Sequence, residues 1–480
     1  MKKIGLVLLF GLIVLLGILF FNFLTIPSKQ VSPEGTKTDI SSIRGAESRI
    51  SQSLTYQTIS YEDTSLINFA PFIAFHNFLR GAFPHVFNNL EVELVNEYTM
   101  VLHWKGKNSA LAPGVILAHM DVVPVSDDTK ALWSVPPFEG VIKGDTLYGR
   151  GAIDNKVNLM GQMEAIEFLL QHNFQPERDV YFVFGHDEEI GGKDGAQKVA
   201  QLMQSRGIKA DFVLDEGGFV TNTMVPGVNQ PVAMIGTSEK GYLNLKLSVN
   251  IDGGHSSMPA KENAISVLTQ ALTDLNNQPF PPSISPSVKD FIEHIAPHSV
   301  FVNKLAMSNM WLFKPLIYDI YSASAAGNAM VRTTMVPTII QGGVKDNVVP
   351  NIVTANINYR LLPGTTVADA IAHTEKAINN PLVKISVSRE PQEASTVSPS
   401  NTESFNNIMN AIQLNFENVI VSPFLMIAGT DSKHFDIVSP NIYKFSPMTD
   451  PTGFHGVNEY LNLKDYKNTI GFYVDFIKKL

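Results

Sequence analysis

The sequence predicts an α/β fold with a mainly parallel central sheet, interrupted by an inserted α+β lid domain. Three segments share one form, an apolar run that ends in polar residues: GVILAHMD (114–121), VYFVFGHDEE (180–189) and FVLDEGG (212–218). Such continuous runs are typical of strands that are buried on both faces of a parallel sheet. Helical apolar spacing separates them at 157–172 and 195–207. Strands that alternate with helices in this way predict an α/β domain.

The N-terminal stretch predicts a transmembrane anchor. Lys2 and Lys3 precede the uncharged apolar segment 4–26. The core of a cleaved signal peptide is roughly 7–15 residues long, whereas about 20 residues span a bilayer. We expect the lysines to stay in the cytoplasm, which places the catalytic body on the extracytoplasmic side. A cleaved signal, and therefore a secreted protein, is the alternative.

The middle of the chain changes character. YLNLKLSVNI (242–251) alternates apolar and polar residues, as do 353–361 and 383–388, and this pattern is typical of half-exposed antiparallel strands. We infer a small α+β lid domain, and we expect an irregular insertion at about 278–335 to pack on it. The predicted organisation is a transmembrane anchor or signal at 4–26, a linker at 27–45, a first catalytic-domain segment at 46–241, the lid domain at 242–393 and a second catalytic-domain segment at 394–480.

Composition and charge exclude several classes of function. The 480 residues carry a net charge of -9, so the chain lacks the basic footprint of a nucleic-acid-binding protein. Cysteine is absent, which excludes disulfides, thiolate metal sites and a cysteine nucleophile. We therefore expect a small-molecule substrate and no nucleic-acid partner.

Acidic and histidine side chains follow the predicted strands, where open α/β sheets bind their ligands. Nitrogen and carboxylate oxygen without sulfur suit zinc, with cobalt or manganese as substitutes. A single zinc ion needs only three or four protein ligands, so a larger and mostly acidic set indicates two metal ions that share a carboxylate. Two divalent cations would also offset the repulsion within the acidic run 187–189. The candidates are His119, Asp121, Asp154, Glu188, Glu189, Asp215 and His455.

Six short motifs occur in order along the chain: AHMDVVPV (118–125), YGRGAIDNK (148–156), HDEEIGG (186–192), DEGG (215–218), GGHSSMP (253–259) and FHGVNEY (454–460). Together they resemble the di-zinc metallopeptidase family of aminoacylase, carnosinase and carboxypeptidase S, over roughly 46–480. SQSLTYQTISYED and WSVPPFEG are most similar to the carboxypeptidase S branch, which includes secreted or membrane-anchored N-acyl-amino-acid hydrolases. The resemblance implies a di-zinc aminopeptidase-like catalytic domain with a lid.

The resemblance also implies a role for each candidate ligand. His119 and Asp215 would bind one zinc ion, and Glu189 and His455 would bind the other. Asp154 would bridge the two ions, and the peptide bond that follows it is cis in relatives.

Two further residues of these motifs would act without binding metal. Asp121 would hydrogen-bond His119 and fix its tautomer, as metal-bound imidazoles usually require. Glu188 would be the general base, which takes a proton from the attacking water and later delivers it to the leaving amine.

Substrate contacts are implied in the lid and in one late loop. His255 would stabilise the oxyanion of the tetrahedral intermediate. Asn347 and Arg360 match lid positions that hold the substrate carboxylate, and an arginine suits that role through bidentate hydrogen bonding. Gly429 and Thr430 fall in a segment that matches a substrate-contacting loop.

The sequence thus predicts a zinc-dependent hydrolase of amide bonds. Its substrates would be dipeptides or N-acyl amino acids with a free carboxylate, and the sequence leaves these two open. The alternative is a catalytically inactive binding or receptor protein on the same fold, which would have no need of Glu188. Many relatives dimerise through the lid, and the insertion leaves both a monomer and a homodimer open.

Overall fold

Strands and helices alternate along most of the chain. The computed structural model describes residues 2–480, with side chains from residue 3 onward. Its strands are β1 (Glu91–Val95), β2 (Thr99–Trp104), β3 (Gly114–His119), β4 (Val141–Lys143), β5 (Thr146–Tyr148), β6 (Val180–Gly185), β7 (Phe212–Thr221), β8 (Val232–Glu239), β9 (Gly241–Asn250), β10 (Gly254–His255), β11 (Thr334–Gly342), β12 (Val348–Val349), β13 (Ile352–Leu361), β14 (Val383–Val387), β15 (Ile420–Met426), β16 (Ile442–Thr449) and β17 (Tyr460–Asn462). Its α-helices are α1 (Lys2–Thr25), α2 (Ala46–Ser53), α3 (Ala70–Ala82), α4 (Pro84–Asn89), α5 (Asp127–Lys130), α6 (Lys156–Gln171), α7 (Ala196–Ser205), α8 (Ala264–Asn276), α9 (Pro286–Ile295), α10 (Phe301–Ser308), α11 (Met310–Ser322), α12 (Ala325–Val331), α13 (Val367–Ile378), α14 (Glu403–Asn415) and α15 (Leu463–Ile477).

An eight-stranded mixed sheet, in the order β1-β2-β6-β3-β7-β16-β8-β15, forms the centre of the fold. Its middle strands β6, β3 and β7 run parallel, as do β7 with β16 and β8 with β15. The strands β1 and β2 join antiparallel to one another, and β2 joins antiparallel to β6. β8 and β16 are also antiparallel, so the sheet is mixed, where the expectation was a mainly parallel sheet. For β1 and β2 the physical reason is the tight turn between them, in which Asn96 and Glu97 take positive φ, because a short turn can join only antiparallel neighbours.

Helix α6 holds the sheet and the site together. It is buried on almost every side, and it packs against α15, α2 and α4. Its apolar residues are spread around the whole helix, as is typical of a helix inside a large core. The buried Glu164 carboxylate on α6 is satisfied by Arg49 of α2 at 2.6 Å. Because α6 begins at Lys156, it anchors the loop that carries Asp154.

A second, four-stranded antiparallel sheet has the order β11-β13-β9-β14. Burial alternates along β9 and β13, so one face of this sheet is covered and the other is more exposed. Helices α8 and α13 cover the buried face and complete a separate apolar core. These strands lie within 241–387, inside the range expected for the lid, although the domain division itself stays a prediction.

The insertion forms the helices α9, α10, α11 and α12, and its position corrects the expectation. Instead of packing on the lid sheet, α9 packs along β15, the edge strand of the large sheet. Phe291 of α9 meets Phe424 of β15 with ring centroids 5.8 Å apart. An edge strand with apolar side chains needs cover, and an amphipathic helix supplies it.

Helix α1 is long and apolar enough to cross a membrane. Its segment Lys3–Thr25 has a mean hydropathy of 3.1, and only 6% of the strongest window is buried. A signal sequence has the same properties, so this finding does not separate an anchor from a cleaved signal. The C-terminal end of α1 contacts α10, where Phe23 and Phe301 have ring centroids 4.9 Å apart.

Candidate active site and metal centre

The candidate ligands converge at one edge of the large sheet. His119 ends β3 and lies opposite Gly185, which ends the parallel strand β6. The short 3-10 helix Glu188–Ile190 follows β6 directly. On the other side of β3, β7 runs parallel and carries the DEGG segment. Because the carboxyl ends of parallel strands meet at one edge, three segments far apart in sequence bring their polar residues together.

Two groups of ligand atoms share Asp154. The first group is His119, Asp154 and Glu216, and the second is Asp154, Glu189 and His455, with the ligand atoms of each group within 4.8 Å of one another. One oxygen of Asp154 lies 3.1 Å from Nε2 of His119, and the other lies 3.0 Å from Nε2 of His455. Asp154 is therefore the carboxylate that the two groups have in common.

Glu216 takes the place that the sequence analysis gave to Asp215. Oε1 of Glu216 lies 3.1 Å from Nε2 of His119. Asp215 instead accepts the backbone N–H of Ser432 at 2.8 Å and that of Glu216 at 2.8 Å. Successive side chains of a strand point to opposite faces, so only one acid of the pair can face His119. Glu216 therefore replaces Asp215 in the candidate ligand set.

Asp121 lies behind His119, as the resemblance implied. Its Oδ1 is 3.3 Å from Nδ1 of His119, and its backbone carbonyl is 3.0 Å from the same nitrogen. Ser60 donates its hydroxyl to Oδ2 of Asp121 at 2.7 Å, and the backbone N–H groups of Glu188 and Glu189 donate at 3.2 and 3.1 Å. Asp121 therefore orients His119 so that Nε2 faces the other ligands, and it also fixes the turn after β6.

Glu459 was missed by the sequence analysis, and it holds the loop of the shared ligand. Its carboxylate accepts the backbone N–H groups of Gly151, Ile153 and Asp154. Arg150 donates from Nη1 to Glu459 at 2.6 Å and from Nη2 to the carbonyl of His455 at 3.1 Å. The peptide bond after Asp154 is cis. The only available signal was the proximity of Glu459 to His455 in FHGVNEY, and the sequence does not reveal what a lone buried acid contacts.

Glu188 lies at the edge of the ligand cluster with its carboxyl group unpaired. Among the described residues its side chain makes no ion pair, unlike that of Glu189, which lies 3.1 Å from His455. Burial raises the pKa of Glu188 well above its usual value, and the nearby acids Asp431 and Glu216 raise it further, while His119 opposes the rise. A carboxyl group with a raised pKa is suited to accepting and then returning a proton near neutral pH.

The residues present fit divalent cations. Oε1 of Glu189 is buried and has no hydrogen-bond partner among the described residues, although its carboxyl group lies among other acids. Burial raises the pKa of Glu216 to about 8, and the neighbouring Asp154 also raises it. Buried and mutually repelling carboxylates require a compensating positive charge. Imidazole nitrogen and carboxylate oxygen are ligands that zinc accepts.

His255 and Asn347 of the predicted lid lie near one another, and neither belongs to the ligand cluster. Nδ1 of His255 is 2.7 Å from the hydroxyl of Ser257. β10 pairs with β12, and Ser256 donates its backbone N–H to the carbonyl of Asn347 at 3.1 Å. Within the described residues, no hydrogen bond joins His255 or Asn347 to the candidate metal ligands. The side-chain oxygen of Asn347 is buried without a partner in the part of the chain that the structure describes.

Arg360 lies on β13 of the lid sheet with its charge unpaired. Its guanidinium lies 4.8 Å from the ring centre of Tyr242, and it has no carboxylate partner among the described residues. Burial lowers the pKa of Arg360. A half-buried guanidinium without a counter-ion is a candidate site for an anion.

The late loop behaves differently from the expectation. The Thr430 hydroxyl is buried and donates to Glu239 at 3.0 Å, so it is not available to a substrate. Thr430 also accepts the backbone N–H of Ser432 and begins the 3-10 helix Asp431–Ile437. The preceding Gly429 remains exposed. A polar loop residue next to a strand end looks alike in sequence whether it caps a helix or binds a ligand.

An apolar cavity of about 150 Å³ lies between the insertion helices and the ends of β8 and β15. Met234, Phe291, Met307 and Phe424 are among its lining residues.

Residues 115–479 match the family described as peptidase family M20/M25/M40. The chain belongs to this family. It is 37% identical to the probable carboxypeptidase S-like 2 of Dictyostelium discoideum, over 97% of this chain and 92% of that protein. It is 35% identical to the N-fatty-acyl-amino acid synthase/hydrolase of Mus musculus, over 88% of this chain and 84% of that protein. The resemblance inferred from the motifs is thereby confirmed.

Solved structures agree in fold. An M20 family metallo-carboxypeptidase from Sulfolobus solfataricus superimposes with a TM-score of 0.66 at 19% identity, covering 91% of this chain and 99% of that one. Human carnosine dipeptidase 1 gives a TM-score of 0.62 at 14% identity, covering 91% and 96%. The sequence relatives and the structural neighbours of this chain are enzymes, and the chain is therefore an enzyme. Enzymes of this family depend on metal.

Proposed function

We propose that the protein is a zinc-dependent hydrolase that cleaves the amide bond of N-acyl amino acids with an apolar acyl group and a free carboxylate. The observation that carries this proposal is the pair of ligand groups that share Asp154, beside the unpaired carboxyl group of Glu188. Hydrolysis of an amide bond is the reaction common to the relatives named above.

The ligand set of the proposed site follows from the geometry. His119 and Glu216 would hold one zinc ion, Glu189 and His455 would hold the other, and Asp154 would contact both. Two zinc ions at this position supply Lewis-acid polarisation of the amide carbonyl and lower the pKa of the attacking water. Cobalt or manganese would be acceptable substitutes because their ligand preferences overlap with those of zinc.

Glu188 is the proposed general base. It accepts a proton from the attacking water and returns that proton to the nitrogen of the leaving amino acid. Asp121 assists from behind the site, because it orients His119 and accepts the backbone N–H of Glu188. The loop that carries the base is thus fixed by the residue that fixes a metal ligand.

Recognition of the free carboxylate is assigned to the lid. Arg360 offers an unpaired, half-buried guanidinium, and Asn347 is a further candidate for the same carboxylate. His255, near Asn347, is the candidate donor to the oxyanion. These lid residues make no hydrogen bond to the ligand cluster here, and closure of the lid over a bound substrate would bring the two groups together.

The apolar cavity favours an acyl group as the other half of the substrate. Its lining is dominated by Met, Phe, Ile and Val side chains, which suit a hydrocarbon chain better than a polar dipeptide side chain. The name of the 35%-identical mouse relative also points to fatty-acyl amino acids. A second candidate is a peptide with a free carboxylate, which the name of the Dictyostelium relative favours.

The test uses the full-length protein in mild detergent, loaded with zinc. It is incubated with N-acyl amino acids of short and long acyl length, with matched dipeptides, and with the amidated form of each substrate, and the released amine is quantified. The proposal expects release from long-chain acyl amino acids and little release from amidated forms. Release from dipeptides alone would select the second candidate. No release from any substrate by the zinc-loaded protein would contradict the proposed function.

A further inference from the structure

The insertion exposes several large apolar side chains, whose contact with water is energetically unfavourable. On α10 and α11, Phe301, Val302 and Trp311 are 58%, 66% and 60% exposed, and Leu312 and Leu316 are also exposed. We call these five residues the α10–α11 patch. Isolated exposed apolar residues are common, but a clustered set on neighbouring helices marks an interaction surface.

The α10–α11 patch is continuous with α1. Besides the contact between Phe23 and Phe301, Asn309 donates its side-chain N–H to the backbone carbonyl of Leu19 at 3.1 Å. The side chain of Asn22 donates to Asn309 at 2.9 Å. These contacts attach the C-terminal end of the apolar helix to the insertion, at the residue that precedes α11.

The level of this contact along α1 indicates a membrane surface. The 24 residues of α1 give a helix of about 36 Å at 1.5 Å per residue, against a hydrocarbon core of roughly 30 Å. Leu19 lies six residues before Thr25, so it is about 9 Å from the end of the helix. If α1 spans the bilayer, its contact with α10 therefore falls near the boundary between acyl chains and headgroups. An amphipathic helix that lies at this boundary typically buries its apolar face roughly 5–10 Å deep in the lipid.

We propose that the α10–α11 patch binds the outer surface of the lipid bilayer beside α1. Trp311 is the residue type that prefers the headgroup level. Lys304 and Lys314 flank the patch, and their ammonium groups lie 4.9 Å and 5.6 Å from the ring centres of Phe23 and Tyr318. Lysines beside a membrane surface extend their long side chains so that the charge meets the headgroups. Asp319 is exposed near the C-terminal end of α11, so insertion at this end is shallow.

The same face carries the mouth of the apolar cavity. Val302, Leu316 and Ile320 line the cavity, and all three are exposed. Resting on the proposed function, this geometry would let an acyl chain enter the cavity directly from the bilayer. The hydrolysed substrate class would then be an acyl amino acid that partitions into lipid.

Tryptophan fluorescence tests the membrane contact independently of catalysis. The chain has three tryptophans, of which Trp104 and Trp133 are buried and Trp311 is exposed. The full-length protein is reconstituted in phosphatidylcholine bilayers whose acyl chains are brominated near the headgroup. The proposal expects the lipid to quench the emission of Trp311, and the Trp311→Phe variant to lose that quenchable component while it keeps the emission of the buried pair. Aqueous iodide should quench Trp311 little in these bilayers.

Other outcomes would overturn the proposal. Equal quenching by brominated lipid in the parent and in Trp311→Phe would mean that Trp311 does not touch acyl chains. Strong quenching by iodide would place the patch in water. Protection from iodide without quenching by the lipid would mean that a protein, such as a second copy of the chain, covers the patch. Absent hydrolysis with intact lipid quenching would contradict only the proposed function.

Discussion

Replacing Arg150 with alanine should lower the free energy of unfolding by about 3–5 kcal/mol, because it leaves the Glu459 carboxylate buried without its cation. The two side chains are 2.6 Å apart, and neither is more than 4% exposed. Arg150 also donates to the carbonyls of His455 and Gly456. Glu459 holds the backbone of the loop that carries Asp154. The variant should therefore bind metal more weakly as well as unfold more easily.

The destabilisation of Arg150→Ala should grow with pH. Burial raises the pKa of Glu459 from 4.5 to about 7, and Arg150 opposes that rise, so the variant should have a still higher pKa. Between the pKa values of the unfolded and folded chains the folded state binds more protons, and stability then falls as pH rises. The parent completes this loss near pH 7. The variant continues to lose about 1.4 kcal/mol per pH unit until its own higher pKa is reached.

Urea unfolding of the zinc-loaded full-length protein checks both the size of the loss and its dependence on pH, with zinc content measured in parallel. The matched control is Arg206→Ala, which breaks the exposed Arg206–Glu93 pair at 2.7 Å. The control should cost about 0–1 kcal/mol. A loss for Arg150→Ala no larger than the control, or one that stays constant above pH 7, would show that Glu459 does not depend on Arg150 for its buried charge.

Three further predictions concern substrate and metal. Arg360→Ala should raise KM for substrates with a free carboxylate and leave KM for amidated substrates unchanged. The control is Arg389→Ala, because Arg389 lies over the same Tyr242 ring with half of its side chain exposed. An equal effect of both variants would mean that Arg360 does not bind the carboxylate. Ala306→Phe, in the lining of the apolar cavity, should raise KM for long acyl chains more than for short ones, and a uniform change would separate the cavity from substrate binding. Removing zinc with a chelator should lower Tm, and each site refilled at 100 times its Kd should restore about 2.7 kcal/mol; an unchanged Tm would argue against a structural contribution of the metal.

The sequence predicted the middle of the large sheet well, because long apolar runs specify buried strands with little ambiguity. The runs at 114–121, 180–189 and 212–218 contain β3, β6 and the start of β7 as observed. The antiparallel hairpin β1–β2 was not anticipated, since its short strands carry no continuous apolar run. The apolar face of α9 was detectable from sequence, but the element that covers it was not. Amphipathicity shows that one face of a helix is buried, and it does not identify the element that buries it.

The sequence predicted which residues form the candidate site better than it predicted the role of each residue. His119, Asp154, Glu189 and His455 lie together as the motifs suggested. Whether Asp215 or Glu216 is the ligand depends on which face of β7 meets His119. On the opposite face, Asp215 accepts the backbone N–H of Ser432. The orientation of β7 and the contact with Ser432 both result from tertiary packing, and neither can be predicted from a single sequence.

The most direct test of the proposed mechanism is the hydrolysis rate of Glu188→Gln at equal metal content. The full-length parent, Glu188→Gln and the exposed control Glu417→Gln are loaded with zinc, and bound zinc and turnover of one N-acyl amino acid are measured on the same samples. We predict two zinc ions per chain in all three proteins, and a loss of turnover of about 10²–10⁴-fold in Glu188→Gln alone. Unchanged turnover of Glu188→Gln at full zinc occupancy would contradict the account.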